Sequence, residues 1–522
     1  MKRNLISLLF IFCSISTYGQ CIQPDDLDYL GAFRLPDVDG DVAWEYSGTA
    51  MTCDPNGDAE GPDDSLPGSL FIIGHDWFQY VSEVSIPQPV ISATKNIDEL
   101  NTAAMLQPFG DIKAGLFGEL EMPTVGLTFL PDATGAARGA LYFCWGQHFQ
   151  FHEPTHGFCR LDLSAPQSSG PFYFGTANNY TSCDYMFTLP DEWAAAYTHG
   201  QNLACGRFRE GQWSGLGPAL YAFSLFPADH PAAGDTIKTI TPLLLYGRDD
   251  PTLPEVLVDD SIKMDTYRPA DQWSGAAWLS AGTKNAVVFS GTKAMGHNWY
   301  GFGNGVVWPD EPPYPNVPDP PFDDRGWWCD SIRAQIIFYD PADLAAVAEG
   351  RLDPWQPQPY ATLDINDVLF DPGFDFSRYK RWSLGAACFD REHGHLFIIE
   401  RRADDEKSLV HVWYVRDRST DVEMGGESMP NAVSLAQNYP NPFNASTTIA
   451  FELQQDASLE VTVLDVLGRQ INCLVHERKS AGRYSLKWDG KDDAGRAATS
   501  GVYFYRIQMG GFDQTHKMLL VR

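Results

Sequence analysis

Five apolar segments spread over the first 416 residues end in groups that can donate a hydrogen bond or carry positive charge. They end at His75 and Asp76, Gln147 and His148, Arg207, Lys293, and Arg401 and Arg402, all donors or cations except the acceptor Asp76. Brought to one face, they would form a concavity lined with donors and cations, which suits an anionic or polyhydroxyl ligand such as a carbohydrate. The competing reading is structural: the same cations could pair with Asp76, Glu210, Asp404 and Asp405 in salt bridges between repeated units. A second candidate surface is the insertion 292–333, which contains Trp299, Trp327 and Trp328 and seven prolines between Pro309 and Pro321. Aromatic faces stack on sugar rings, and proline limits the ordering cost; the alternative is a loop that buries its own aromatics.

Other constellations are weaker. Asp76, Glu121, Glu210 and Asp271 could supply the paired carboxylates of a glycoside-active enzyme, whose acid and base must flank one bond. His152-Glu153-Pro154-Thr155-His156 matches HExxH, but a proline inside the motif and strand-like flanks oppose the helix a zinc peptidase needs. A loop site gathered from His148, His152 and His156 is the residual metal reading. Asp54, Asn56 and Asp58 alternate as oxygen ligands suited to calcium, without the glycine and glutamate of an EF-hand. There is no P-loop, dinucleotide fingerprint or nucleophile elbow, so nucleotide enzymes and ordinary serine hydrolases lose support. Of ten cysteines, Cys144 and Cys159 fall on successive strands and could be neighbours or simply buried thiols.

The elements that must position these groups recur. An apolar strand, a polar loop and a second apolar strand begin at Leu70, Leu141, Leu203, Val287 and Leu396. A glycine with small or apolar neighbours precedes four of them, at Gly48, Gly126, Gly275 and Gly385, as suits strands that crowd together. Antiparallel units repeating at well above about 50 residues point to a β-propeller. Five blades are expected over residues 20–416, with six blades or a decorated sandwich as alternatives. The third copy departs from the pattern because its Trp213-Ser214-Gly215 follows the strand instead of preceding it.

The chain has 522 residues, 37 Lys+Arg and 68 Asp+Glu, for a net charge of −31. Such acidity repels phosphate backbones and anionic lipid, which argues against nucleic acid and membrane-surface partners. Residues 1–19 carry Lys2 and Arg3, an apolar stretch and a small residue at the end, the pattern of a signal peptide. A lipoprotein would acylate Cys21, but Gln20 stands where a small residue is required. No stretch is long and apolar enough to be expected to span a bilayer. Residues 417–437 read as a polar linker, and 438–522 as a separate β-sandwich of immunoglobulin-like type.

The tail contains Asn438-Tyr439-Pro440-Asn441-Pro442-Phe443-Asn444, then Asp465-Val466-Leu467-Gly468-Arg469, Trp488-Asp489-Gly490, Ser500-Gly501-Val502-Tyr503 and a terminal Lys517-Met518-Leu519-Leu520-Val521-Arg522. It resembles the type A C-terminal sorting domain of the type IX secretion system. That resemblance implies export to the periplasm, recognition of the tail by an outer-membrane translocon, and a final place outside the cell or on its surface. An accessory immunoglobulin-like module is the alternative. The main region resembles secreted propeller-like bacterial proteins of unknown function, a likeness that implies no chemistry. Three functions stay open: a glycan-binding protein, a glycoside-active enzyme, and a structural surface protein.

Overall fold

The computed structural model describes residues 21–417 and 433–521, apart from 39–42, 59–64, 119–123, 132–137, 147–150, 178, 209–212, 226–231, 248–258, 260, 374–381, 436–442, 445, 454–456, 466–468, 481, 494 and 510–511. The chain is all-β and divides into two units, Met1–Thr420 and Asp421–Arg522. The expected signal peptide and most of the expected linker lie outside the described residues. No described helix is long and apolar enough to cross a membrane.

Among the described residues the large unit holds five mainly antiparallel sheets. Sheet I runs Met51–Asp54, Ser65–Ile73, Val81–Pro87 and Met105–Gly110. Sheet II runs Thr124–Pro131, Gly139–Gly146, His156–Arg160 and Ser169–Phe174, with Thr236–Ile237 added in parallel at its edge. Sheet III runs Tyr185–Thr188, Leu203–Gly206, Leu220–Phe223 and Ile240–Leu244. Sheet IV runs Gln272–Ala281, Lys284–Phe302, Arg325–Tyr339 and Ala361–Asp364. Sheet V runs Leu384–Asp390, His395–Asp404 and Lys407–Val415, and takes the early strand Leu27–Arg34 as its fourth, with Leu27 opposite Val415. Each strand pair expected from the repeats is the second and third strand of one sheet. The glycine element ahead of each pair is, in four sheets, at or just before the first strand.

The first strands touch from sheet to sheet. Phe129 N donates to Thr52 Oγ1 at 2.9 Å, Thr124 Oγ1 donates to the carbonyl of Cys183, just before the first strand of sheet III, at 2.6 Å, and the Tyr185 ring in that strand meets Phe289, in the second strand of sheet IV, edge-on at 5.5 Å. Gly275 then faces Ala387, and Ala386 N donates to the Gly48 carbonyl at 3.0 Å, joining sheet V back to sheet I. Sequence explains this crowding: a Cβ on Gly385 would lie 2.2 Å from the Gly48 carbonyl oxygen, and one on Gly126 would lie 2.7 Å from the Cys144 sulfur. Between the sheets, alternate side chains interdigitate in apolar layers, such as Tyr185, Leu220, Trp278 and Phe289 between sheets III and IV.

The tail unit packs Val433–Leu435, Thr447–Leu453 and Gly482–Trp488 against a second sheet of Gln470–Lys479, Ala457–Leu464, Gly501–Met509 and Phe512–Leu520. Val433–Leu435 pair with Phe451–Leu453, so three residues assigned to the linker belong to this unit. Its core includes Ile449, Val461, Trp488, Tyr505 and Ile507. Arg469 donates to the Asp465 carboxylate twice, from N at 2.9 Å and from Nε at 2.7 Å.

Replacing Gly385 by Val should destabilise the large unit by about 1–3 kcal/mol, the usual cost of forcing side-chain volume into a packed contact. Denaturant unfolding followed by tryptophan fluorescence measures it, and an unchanged midpoint would contradict the contact.

Candidate functional site

Arg207 follows the second strand of sheet III, and its guanidinium lies over the Tyr180 ring at 5.4 Å. Its Nη1 reaches the Asn179 carbonyl at 3.4 Å. Arg401 lies in the second strand of sheet V, where the register breaks between Glu400 and Asp404 and Arg402 adopts φ 57°. Such an irregularity re-aims side chains. Arg401 Nη2 stands 3.7 Å from Asp76 Oδ2 and 3.4 Å from the Tyr46 carbonyl. The Nε atoms of Arg207 and Arg401 are buried and have no hydrogen-bond partner among the described residues.

Asp184, the residue just before the first strand of sheet III, completes the group. Its carboxyl is buried, and desolvation pushes its pKa up to about 7 against the opposing pull of both Arg207 and Arg401. Since both guanidinium charges act on this carboxyl, residues from sheets III and V share one electrostatic neighbourhood. Burial lowers the pKa of Arg401, whereas Asp76 and Asp184 favour its charge.

Sheet I supplies the adjoining rim. His75 Nδ1 accepts from Trp77 N at 3.1 Å, and its ring meets Tyr46 edge-on at 5.2 Å. Arg402 sits over Tyr46 at 4.7 Å and lies 3.7 Å from Glu406. Trp77 is 83% exposed, an unusual setting for an indole and a ready stacking surface. Asp184, Tyr46 and Trp77 were not singled out from sequence. Trp77 directly follows His75-Asp76, and Asp184 precedes its strand as Ser383 precedes the first strand of sheet V, so adjacency to strand ends was the available signal.

Other expected residues are placed elsewhere. Lys293 Nζ lies 2.7 and 3.0 Å from the two oxygens of buried Asp271, so both charges are used within sheet IV and its preceding loop. Burial raises Asp271 and lowers Lys293, each offset by the other's charge. Arg207 and Arg401 therefore meet without Lys293.

The insertion is largely a strand extension, with Trp299 opposite Trp328 and Tyr300 opposite Trp327. Trp328 is fully buried, Trp299 nearly so, and Trp327 packs on Ala270, Ala294, Cys329 and Ile332. These three tryptophans build a satellite core, whereas Trp308 stacks on exposed Tyr314 at 5.0 Å with Arg325 over Trp308 at 4.3 Å.

Asp54, in the stretch expected as a calcium loop with Asn56 and Asp58, is buried and bound by Arg138 Nε at 2.5 Å and by Asn56 N at 3.0 Å. Among the described residues no group of three or more His, Cys, Asp or Glu is arranged to hold a metal. His156 is a core residue stacked on Phe174 at 4.4 Å, and burial lowers its pKa to about 3. All described cysteines are free thiols, including Cys144 and Cys159. Gln147, His148, Glu121 and Glu210 lie outside the described residues.

The FlgD Ig-like domain family matches residues 438–510. No curated protein matches the chain. Among solved structures, FLGD from P. aeruginosa aligns at 23% identity over 17% of this chain and 64% of that one, with a TM-score of 0.12. PorZ, a surface component of the type-IX secretion system of Porphyromonas gingivalis, aligns at 12% identity over 90% and 54%, with a TM-score of 0.23. A glycoside hydrolase family 43 arabinoxylan arabinofuranohydrolase from Bacillus subtilis aligns at 8% identity over 92% and 96%, with a TM-score of 0.29. The chain thus spans less than two thirds of the first two structures, and scores this low establish no shared fold.

A carboxyl raised to about 7 in the folded state binds a proton that the unfolded chain has lost above about pH 4. Stability should therefore fall as pH rises from about 4 to about 7 and level off above, because the native state must then hold a buried charge. Urea midpoints at pH 5 and pH 8 should converge in Asp184→Asn relative to the parent protein; an equal pH dependence in both would exclude the shift.

Proposed function

We propose that the large unit is a five-bladed β-propeller that binds an anionic carbohydrate where Arg207, Arg401 and Asp184 meet, and that the tail is a type IX sorting domain carrying it to the cell surface or beyond. Five sheets whose first strands touch in turn support the propeller reading, as does the closing of sheet V by an early strand. The observation that carries the binding reading is the pair of buried Arg Nε groups, contributed by two sheets and lacking partners among the described residues. A buried unsatisfied donor costs about 1–3 kcal/mol, which the oxygens of a carboxylated or sulfated sugar would recover. Trp77, joined to the group through His75, Asp76 and Arg401, offers the apolar face for the ring.

The long-range field of a chain at −31 repels such a ligand, so the attraction must be short-ranged. Arg207→Ala or Arg401→Ala should weaken binding of an acidic oligosaccharide found on a glycan array by roughly 10- to 100-fold, the loss of one charge-assisted hydrogen bond. Trp77→Ala should weaken it less, and calorimetry reads both. Equal affinity in all three variants would refute the site.

Asp184 favours a second reading, glycoside hydrolysis. A carboxyl near 7 is about half protonated at neutral pH, which suits a general acid, and Asp76 would be the second carboxylate. Release of reducing ends from the bound glycan, abolished in Asp184→Asn, would separate catalysis from binding.

Support for the sorting reading comes from the tail motifs, the FlgD Ig-like match over 438–510 and the tail's own core. Deleting 421–522 should leave a folded large unit retained in the periplasm of the native host. Its normal appearance in the medium would refute the assignment.

A further inference from the structure

The cysteines are distributed in a way that neither the ligand site nor the tail uses. Cys53 lies in the first strand of sheet I and Cys388 in the first strand of sheet V, and these strands meet where the last sheet joins the first. Both belong to one apolar cluster, and the Cys388 thiol interacts directly with that of Cys53. Both also line one cavity, shared with Thr52, Met186, Thr188 and Arg391. Arg391 is an exposed residue that bonds the Thr188 carbonyl through Nη2 at 3.0 Å, and its charge acts on Cys53.

We propose that Cys53 and Cys388 are a disulfide-forming pair that covalently locks sheet V to sheet I. Their direct side-chain interaction within one cavity puts the two sulfurs in reach of each other, as a disulfide requires. Cys53, which keeps the larger exposure on the cavity, attacks first as its thiolate, the nucleophilic form. That thiolate attacks a small-molecule or protein disulfide, joining one of its sulfurs and expelling the other as a thiolate. Cys388 then attacks the Cys53 sulfur, expels the second thiolate, and gives up its proton to the leaving groups. The two thiols lose two electrons and two protons, and the oxidant becomes a dithiol or a pair of thiols.

A second set, Cys144, Cys183 and Cys205, also joins two sheets and contains a direct Cys144–Cys183 interaction. All three are fully buried, whereas Cys53 and Cys388 keep 8% and 6% exposure on the cavity. Access therefore selects the first pair. The link would span most of the large unit, where closing a long loop restrains the unfolded chain most strongly.

The test incubates the folded full chain with oxidised glutathione at neutral pH, quenches with acid, alkylates free thiols and maps peptides by mass spectrometry. A Cys53–Cys388 linked peptide, lighter by two hydrogens than the reduced pair, is expected, with Cys144, Cys183 and Cys205 alkylated only after denaturation. In Cys388→Ser the reaction should stop at a glutathione adduct on Cys53. Reduction should lower the thermal midpoint of the parent protein by roughly 5–10 °C and leave that of the variant unchanged. Recovery of both cysteines unlinked, or linkage of Cys53 to any residue other than Cys388, overturns the proposal. A midpoint that does not respond to reduction of a formed link overturns its locking role.

Discussion

Where the first strand of sheet V meets that of sheet I, Ala386 donates its amide to the Gly48 carbonyl, and a Cβ on Gly385 would fall 2.2 Å from the same oxygen. Backbones this close admit no side chain between them, and the arrangement of the large unit follows from that constraint. Small residues at Gly48, Gly126, Gly275 and Gly385 let first strands from separate sheets approach one another. Bulky residues occupy the layers between sheets, as Trp273 and Trp278 do, where area removed from water stabilises most. The strand 27–34 fills the edge of sheet V, so the sheet that ends the unit also contains its beginning.

The same approach sets the electrostatics. Strand ends from different sheets arrive together, so charged groups far apart in sequence share a buried setting. Two outcomes are visible. Lys293 and Asp271 neutralise each other within the fold, an arrangement in which Coulomb attraction offsets desolvation. Arg207, Arg401 and Asp184 are less completely matched: two guanidinium Nε atoms have no partner among the described residues, and a carboxyl is pushed toward its neutral form. Incomplete satisfaction of buried polar groups is costly for folding.

The aromatic insertion shows how a ligand-like composition can serve stability instead. Its tryptophans pair across two long strands and shield one another from water. The single indole left in the open is Trp77, in a short turn beside the charged group. Exposure, not aromatic density, distinguishes the two settings.

Sequence alone determined the all-β class, the immunoglobulin-like tail and the five strand pairs, because alternation and turn residues are local properties of the chain. It also singled out Arg207 and Arg401 through their equivalent positions at strand ends. It did not separate them from Lys293, since the partner that binds Lys293 is 22 residues away in a loop whose path depends on tertiary packing. Nor did it find Asp184, whose neighbours Arg207 and Arg401 lie in two different sheets. Which cations are neutralised, which thiols meet and which aromatics face water were decided only by how the sheets pack, because burial and long-range proximity are not properties of any segment taken by itself.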